Sequence, residues 1–225
     1  MKPEKFDIGD WVVDDKMFVR ELTSDDMPDL PYESIVRYAD EAEIEMAKGY
    51  LRNKDMSKFN FELMASEWSC KAHDDTNHLY DGRHYGHHLA MVVTCARKFI
   101  HLIPEKDQQT VLAACWAHDT IEDARQTYND VKTTLGKDVA EIVYAVTNEK
   151  GKNRKERANS KYYEGIRNTP GASFVKLCDR IANMEYSKST GSSMYDKYKK
   201  EMGDFVNSVF FDKSLSPLLD HLLEI

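Results

Sequence analysis

The segment QQTVLAACWAHDTIEDAR, residues 108–125, joins an almost uninterrupted apolar run to a sudden concentration of ionisable side chains. Residues 108–119 are typical of a helix that is apolar on every side, and such a helix is buried in the centre of a protein. His118 and Asp119 end this run, and Glu122 and Asp123 follow within the next turn. The segment therefore predicts the middle of the core, with a charged cluster at its edge.

Helical periodicity extends from this segment through the rest of the chain. Further helices are predicted near residues 57–74, 87–101, 137–148, 155–167, 171–187, 193–211 and 215–224, and Gly136 is a natural helix terminator. The pattern predicts an all-α bundle of about eight or nine helices.

The first third of the chain has a different character. Residues 6–22 carry β-branched and aromatic residues around an Asp-Asp-Lys turn, which predicts a short irregular or β-hairpin arm. Two prolines indicate a loop over residues 23–34. We expect Ser34 to cap a helix that runs to about Asn53, with an apolar stripe formed by Ile35, Tyr38, Ala42 and Met46.

Composition limits the classes of function. A chain of 225 residues can bury a core without disulfides. The four cysteines are widely spaced, so we expect reduced core thiols in a cytoplasmic protein. No apolar run is long enough to span a bilayer, and no secretory leader is recognisable, so no membrane association is expected.

The net charge of −8 argues against a nucleic-acid partner, and most of the excess lies in the first 55 residues. That acidic segment fits either a solvated face or a subunit contact in a homo-oligomer, and the sequence does not choose between them. The exception is the basic segment EKGKNRKERANSK, residues 149–161, which fits a solvated helix face or a phosphate-contacting patch.

His118 and Asp119 suggest a metal site. Side chains of adjacent helical residues point about 100° apart, so both reach one ion only at a helix edge or terminus. A mixed nitrogen and oxygen pair suits Mn²⁺, Zn²⁺ or Fe²⁺, and the ligand types do not select among these ions.

Further ligands must come from other segments. In GHHLAMVV, His88 lies one turn before Val92 and should point inward, while its neighbour His87 is the alternative. In ASFVKLCDRIANM, Asp179 lies among apolar residues, where a carboxylate is costly unless a cation neutralises it.

Four motifs together resemble a known family. DGRHYGHHLAMVV, AACWAHDTIED, LGKDVAEIVYAVTN and SFVKLCDRIANM are similar to successive motifs of the HD-superfamily metal-dependent phosphohydrolases. More narrowly, they resemble the (p)ppGpp hydrolase domain of the RelA/SpoT homologues and its small stand-alone relatives. The likeness covers roughly residues 70–187. It implies an HD-domain helical bundle over residues 57–225, on which an acidic arm and helix, residues 1–56, would pack.

The resemblance also implies roles for individual residues. It makes His88, His118, Asp119 and Asp179 the metal ligands and favours Mn²⁺ as the ion. The spacing of the family's DGxPYxxH motif selects His88, and His87 stays the alternative. Glu122 and Asp123 match an acidic pair that handles the attacking water, while Asn183 matches a nucleotide contact.

The substrate implied by the resemblance is a nucleotide with a pyrophosphate group. Arg154 and Arg157 in the basic segment are candidates for bidentate phosphate contacts. Lys176, one turn before Arg180, and Tyr163 complete the predicted substrate-binding set. Tyr163 and its neighbour Tyr162 are both candidates for stacking on the base, with helix packing as the alternative. Too few residues follow Asp179 for a synthetase unit, so we expect a hydrolase that removes the 3′-pyrophosphate of ppGpp or a similar alarmone.

Two departures from the family pattern keep a second substrate open. Asn77 and His78 stand where the family has an arginine or lysine that flanks the purine, and His84 replaces a proline. These changes favour the alternative of a 5′-nucleotidase or cyclic-nucleotide phosphodiesterase of the same superfamily. A catalytically idle nucleotide sensor is disfavoured, because it would not need the full set of ligands and acids.

Overall fold

A computed structural model describes residues 11–14, 19–21, 35–38, 56–148 and 152–225. The chain divides into two compact units, residues 1–60 and 61–225. The predicted packing of the N-terminal arm on the main domain stays a prediction.

The N-terminal unit contains a small antiparallel sheet. Strand β1, Trp11–Asp14, lies between β2, Val19–Glu21, and β3, Ile35–Tyr38. Val12 pairs with Arg20 on one side and with Tyr38 on the other. The β1–β2 pair confirms the predicted hairpin arm.

The predicted helix from Ser34 to Asn53 is wrong over its first part, because Ile35–Tyr38 forms β3. The sequence IVRY is β-branched or aromatic at three positions, and such residues pack well on a pleated surface. Pairing with β1 thus outweighs a helical periodicity of only four apolar positions. The rest of the predicted helix, residues 39–53, lies outside the described residues.

The larger unit is helical. Its helices are α1 Met56–Asp74, α2 Gly86–Phe99, α3 Glu105–Ala117, α4 Thr120–Asp123, α5 Tyr128–Leu135, α6 Lys137–Val146, α7 Arg154–Arg157, α8 Ser160–Asn168, α9 Ala172–Thr190, α10 Met194–Val209 and α11 Ser216–Glu224. Short 3₁₀ turns lie at Ile100–Leu102 and Lys213–Leu215. This architecture confirms the predicted all-α bundle.

Helix α3 occupies the centre of the larger unit. Every residue from Val111 to Ala117 is buried, as the apolar run predicted. Helix α3 packs against α2, α6 and α9, and α9 also packs against α2. The mutual packing of α2, α3 and α9 brings together the three segments that carry the predicted metal ligands.

Two local features differ from the sequence prediction. The helix predicted over residues 155–167 is broken, because Asn159 caps α8 by accepting a hydrogen bond from the amide of Tyr162 at 3.1 Å. A further hairpin pairs β4, Leu79–Tyr80, with β5, Arg83–His84. Its turn residues Asp81 and Gly82 both have positive φ, which is typical of a tight hairpin turn and explains the DG sequence. The sequence did not predict the two flanking strands.

Three of the four cysteines, Cys95, Cys115 and Cys178, are buried, and Cys70 is half-buried. All four are free thiols, as the sequence predicted. Among the described residues, no helix is both long and apolar enough to cross a bilayer.

Gly171 is required for the contact between α9 and α3. Its φ is +85°, and an added Cβ would lie 2.9 Å from Val111 Cγ2 and 3.2 Å from Ile142 Cδ1. We expect Gly171→Ala to lower the free energy of unfolding by about 2–4 kcal/mol, from left-handed backbone strain and overpacking. Urea titration of both proteins measures this loss.

Gly203→Ala is the matched control. Gly203 lies within α10, and nothing would meet its added Cβ within 4 Å. Alanine has the higher helix propensity, so this variant should be stabilised by up to about 1 kcal/mol. Equal stability of the two variants would contradict the strain assigned to Gly171.

Candidate metal centre

Four ionisable side chains from three helical segments converge in the larger unit. His88 lies on the first turn of α2, His118 and Asp119 lie between α3 and α4, and Asp179 lies on α9. The two histidine side chains are 1% exposed, and the carboxylates of Asp119 and Asp179 are 14% and 13% exposed. These groups are therefore removed from water except along one side.

The junction between α3 and α4 explains how adjacent residues share one site. Helix α3 ends at Ala117 and α4 starts at Thr120, whose hydroxyl donates to the carbonyl of Ala117 at 2.7 Å. Helical geometry is interrupted there, so His118 and Asp119 can both turn inward. His118 Nε2 and Asp119 Oδ2 lie 3.0 Å apart.

The spacing of the ligand atoms fits a metal ion. The Nε2 atoms of His88 and His118 are 3.3 Å apart, and His88 Nε2 lies 3.6 Å from Asp119 Oδ2. Asp179 Oδ1 lies 3.4 Å from His88 Nε2 and 3.8 Å from His118 Nε2. Bonds of about 2.1 Å place neighbouring ligands about 3.0 Å apart in an octahedron and about 3.4 Å apart in a tetrahedron. His88, His118 and Asp119 thus form a group that could hold a divalent ion, and Asp179 adjoins it.

The imidazole of His118 is oriented for ligation. Its Nδ1 lies 2.9 Å from the carbonyl oxygen of Cys115 and can only donate to it. In the neutral ring this leaves the lone pair on Nε2, which faces the cluster. His88 presents its Nε2 to the same point, whereas His87 packs edge-on against the ring of Tyr186 at 5.8 Å. Of the two candidates, the structure places His88 in the cluster.

Electrostatics show that the cluster requires positive charge. Burial opposes ionisation of Asp119, but the adjacent His118 lowers the pKa of this carboxyl below its usual value. In return, burial opposes protonation of His118, but the charge and hydrogen bond of Asp119 raise its pKa to about 9. A bound cation would take the place of that proton, so metal binding should release it near neutral pH.

Asp179 is held by two neighbours on its own helix. Lys176 Nζ donates to Asp179 Oδ2 at 3.0 Å, and Asn183 Nδ2 donates to Asp179 Oδ1 at 2.6 Å. Burial raises the pKa of Asp179, but Lys176 and the two histidines lower it by more than burial raises it, so the pKa lies well below its usual value. Lys176 and Asn183, predicted to bind substrate, therefore both contact the carboxylate of Asp179 here.

Glu122 and Asp123 lie on the wall of a cleft of about 930 Å³. The side-chain amide of Asn148 donates to both oxygens of Glu122, at 2.8 and 3.0 Å, and its backbone amide donates at 3.2 Å. Partial burial, then the charges of Asp119 and Glu122, raise the pKa of Asp123 to about 6. One acid is thus fixed in place, while the other has an elevated proton affinity.

The remaining residues predicted to bind substrate do not all line one cleft. Arg157 lines the cleft, together with Lys161 and Tyr162. Tyr163 instead lines a separate depression of about 450 Å³ beside α10. The side chain of Arg154 lies outside the described part of the structure.

The raised pKa of Asp123 predicts a pH-dependent cost to stability. A carboxyl whose folded-state pKa of about 6 exceeds its ordinary value of 3.8 binds protons more tightly in the folded state. Its stabilising contribution is complete below pH 4 and is lost as the pH rises through 6. Asp123→Asn should therefore raise the melting temperature of chelator-treated protein at pH 7 but not at pH 4.

Asp123 as a whole residue is exposed although its carboxyl group is partly buried, so solvent screening keeps this gain below about 1 kcal/mol. Asp75→Asn provides a surface control, because Asp75 is exposed and directly follows α1. A larger gain for Asp123→Asn at pH 4 than at pH 7 would contradict the assignment.

Comparison with known proteins agrees with this geometry. The HD domain family model matches residues 65–205, more than half of the chain. The chain belongs to the HD domain family. The matched region contains all four clustered side chains and both acids on the cleft wall.

Similar curated proteins match part of this chain. The mouse and human proteins named guanosine-3′,5′-bis(diphosphate) 3′-pyrophosphohydrolase MESH1 are each 35% identical to the chain over 74 residues. These alignments cover 33% of this chain and 41% of each relative. The chain thus matches less than half the length of those relatives.

A solved structure shows the same fold. It is of a metazoan ortholog of SpoT described as hydrolysing ppGpp, and it superposes with a TM-score of 0.57 at 22% identity. The superposition covers 73% of this chain and 94% of that chain.

Several residues that contact the site were not predicted from the sequence. Asn148 orients Glu122, and Tyr80 and Tyr85 donate hydrogen bonds to Asn183 and Asp119 at 2.9 and 2.6 Å. Asn148 lies two residues after the apolar helix α6, where a polar side chain is common. Only the spacing of Tyr85 before His88 carried a signal in the sequence.

Proposed function

We propose that this HD domain is a Mn²⁺-dependent hydrolase that removes the 3′-pyrophosphate from guanosine 3′,5′-bis(diphosphate) or a similar alarmone. One observation carries the proposal: two histidines and two aspartates cluster near Asp123, whose pKa is raised by burial and by the charge of Asp119, and Asp123 lines a large cleft together with Glu122. The names of the similar curated proteins supply the nucleotide.

The ligand set suits the chemistry. A bound divalent ion supplies Lewis-acid activation of the phosphoryl group and of the attacking water. The chain's own residues hold the ligands in place: Cys115 orients His118, and Lys176 with Asn183 orients Asp179. Nitrogen and oxygen ligands are compatible with Mn²⁺.

Asp123 is the better placed acid for proton transfer. Both carboxylate oxygens of Glu122 already accept hydrogen bonds from Asn148, which suits a positioning role for the water. Asp123, with a pKa of about 6, can accept a proton from the attacking water at neutral pH. The acid whose proton affinity lies nearer the working pH is the more effective base.

Arg157 and Lys161 place positive charge in the same cleft, where they can meet the phosphate groups of the substrate. Arg157→Gln should raise KM by about tenfold, the loss expected for one charge-assisted hydrogen bond, while the Kd for Mn²⁺ stays unchanged. Arg167→Gln, on the face of α8 that borders the separate depression, is the matched control. An unchanged KM for Arg157→Gln would remove this residue from the substrate site.

One observation favours the second candidate, an HD phosphohydrolase acting on another nucleotide. His78 stands where the family resemblance implies a base-flanking cation, but its ring stacks on Tyr85 at 4.1 Å. Its Nδ1 lies 2.9 Å from Nδ1 of His73. His78 is therefore engaged within the protein rather than offered to a purine.

A substrate panel separates the candidates. Mn²⁺-loaded protein is incubated with ppGpp, GTP, a nucleoside 5′-monophosphate and cyclic nucleotides, and the products are resolved by ion-exchange chromatography. Pyrophosphate and GDP from ppGpp support the proposal. Orthophosphate or a nucleoside from the monophosphate, or a monophosphate from a cyclic nucleotide, supports the alternative, and no turnover of any substrate would refute both. Cytoplasmic location and homo-oligomer formation stay predictions from the sequence.

A further inference from the structure

Tyr85 contacts two parts of the metal centre at once. Its phenol donates a 2.6 Å hydrogen bond to Asp119 Oδ2, and its carbonyl accepts from the amide of His88 at 2.9 Å. The residue is 7% exposed. A single buried residue therefore connects the start of α2, through its backbone, to a carboxylate that follows α3, through its side chain.

The ring of Tyr85 is itself held by a pair of histidines. His73 and His78 are joined through their Nδ1 atoms at 2.9 Å, and their ring centroids lie 5.1 Å apart at an interplanar angle of 29°. Tyr85 stacks on both rings, at 4.2 and 4.1 Å. The two imidazoles, which we call the imidazole pair, thus form one slightly bent aromatic surface against Tyr85.

The imidazole pair suits this supporting role. Burial lowers the pKa of His73 to about 4 and lowers that of His78. Two neutral rings allow one Nδ1 to donate and the other to accept. The surface beneath Tyr85 is therefore an uncharged aromatic plane, which fixes the direction of the phenol.

Tyr80 supports the other side of the cluster. Its ring stacks on His88 with centroids 4.8 Å apart and an interplanar angle of 12°. Its hydroxyl donates to Asn183 Oδ1 at 2.9 Å, and Asn183 donates onward to Asp179 Oδ1 at 2.6 Å. Tyr80 therefore acts on one ligand by stacking and on another through Asn183.

We propose that Tyr80, the last residue of β4, and Tyr85, which follows β5, are positioning residues that hold Asp119, His88 and Asp179 in the arrangement a divalent ion requires. The phenol of Tyr85 reaches Asp119 directly, and that of Tyr80 reaches Asp179 through Asn183, so these two residues align side chains that come from separate helices. The inference rests on the metal binding that the proposed function requires, but not on the identity of the nucleotide.

The test removes single hydroxyl groups and measures metal affinity. Chelator-treated wild type, Tyr85→Phe, Tyr80→Phe and Tyr186→Phe are titrated with Mn²⁺ by calorimetry, without nucleotide. Tyr186 is the matched control, because its hydroxyl donates to Asp81 at 2.7 Å and not to a ligand or its partner. The electron paramagnetic resonance spectrum of bound Mn²⁺ reports the symmetry of the ligand arrangement in each variant.

We expect Tyr85→Phe to raise the Kd for Mn²⁺ by about tenfold or more, the usual loss for a partner that orients a ligand. Tyr80→Phe, which acts through Asn183, should raise it by a smaller factor, and Tyr186→Phe should stay within about twofold of wild type. The Mn²⁺ spectrum should broaden in Tyr85→Phe and keep its shape in Tyr186→Phe.

Wild-type affinity in both Tyr85→Phe and Tyr80→Phe would overturn the proposal, and wild-type affinity in one would overturn it for that residue. Equal losses in all three variants would also overturn it, since the effect would then be general to the region. Absence of Mn²⁺ binding by the wild type would leave no ion to position and would refute the inference. Failure to hydrolyse ppGpp alone leaves these measurements unaffected.

Discussion

Asp119→Asn should abolish high-affinity Mn²⁺ binding and reduce hydrolysis of the preferred nucleotide by at least about a hundredfold. Replacing a residue that only hydrogen-bonds to a metal ligand already lowers metal affinity or activity by up to about that factor, and replacing a ligand should cost more. The change removes one negative charge and replaces a ligand oxygen that lies 3.0 Å from His118 Nε2. It also removes the charge that raises the pKa of His118. Inductively coupled plasma mass spectrometry and initial rates measure the two losses.

Asp75→Asn is the control for this variant, because Asp75 is exposed and pairs with Lys71 on α1. It should retain metal content and turnover. A fully active Asp119→Asn protein with normal metal content would remove Asp119 from the site and, with it, the reason for assigning a metal-dependent reaction.

Asp123→Asn should reduce kcat by about 10²–10⁴-fold while the Kd for Mn²⁺ changes little, since general base catalysis contributes that much and Asp123 is not a ligand in the cluster. The asparagine keeps the shape of the side chain but cannot accept the proton of the attacking water. The same variant should be more stable than wild type at pH 7 without metal, as expected where function is maintained at a cost in stability.

Glu141→Gln is the matched cleft variant. Glu141 lines the same cleft as Asp123, but it accepts a hydrogen bond from Tyr128 at 2.8 Å and lies outside the ligand cluster. Its kcat should match that of wild type. If Asp123→Asn kept full kcat and Glu122→Gln lost it, the base would be Glu122, and the roles proposed for the two acids would be reversed.

The buried centre of the fold and the inward direction of His88 and Asp179 could be predicted because their signals are local. Burial of Val111–Ala117 follows from an apolar run that leaves no polar face. His88 lies one turn before a buried valine, and Asp179 lies among apolar residues of α9, so helical phase alone directs both inward. The family resemblance then joined these segments, which periodicity could not do.

The parts that were missed depend on contacts between distant residues. Whether Ile35 starts a helix or a strand is decided by pairing with β1, which local periodicity does not contain. The cap at Asn159 resets the helical phase, so Tyr162 rather than Tyr163 reaches the cleft. Asn148, Tyr80 and Tyr85 act on residues elsewhere in the chain, and nothing in their immediate sequence marks those partners.

A crystal grown with Mn²⁺ and measured at the manganese absorption edge would show whether the four clustered side chains share one ion. We expect one strong anomalous peak within about 2.0–2.3 Å of His88 Nε2, His118 Nε2, Asp119 and Asp179, the range of first-row metal–ligand bonds. An anomalous peak at another site, or a map without a peak among these four side chains, would refute the metal site.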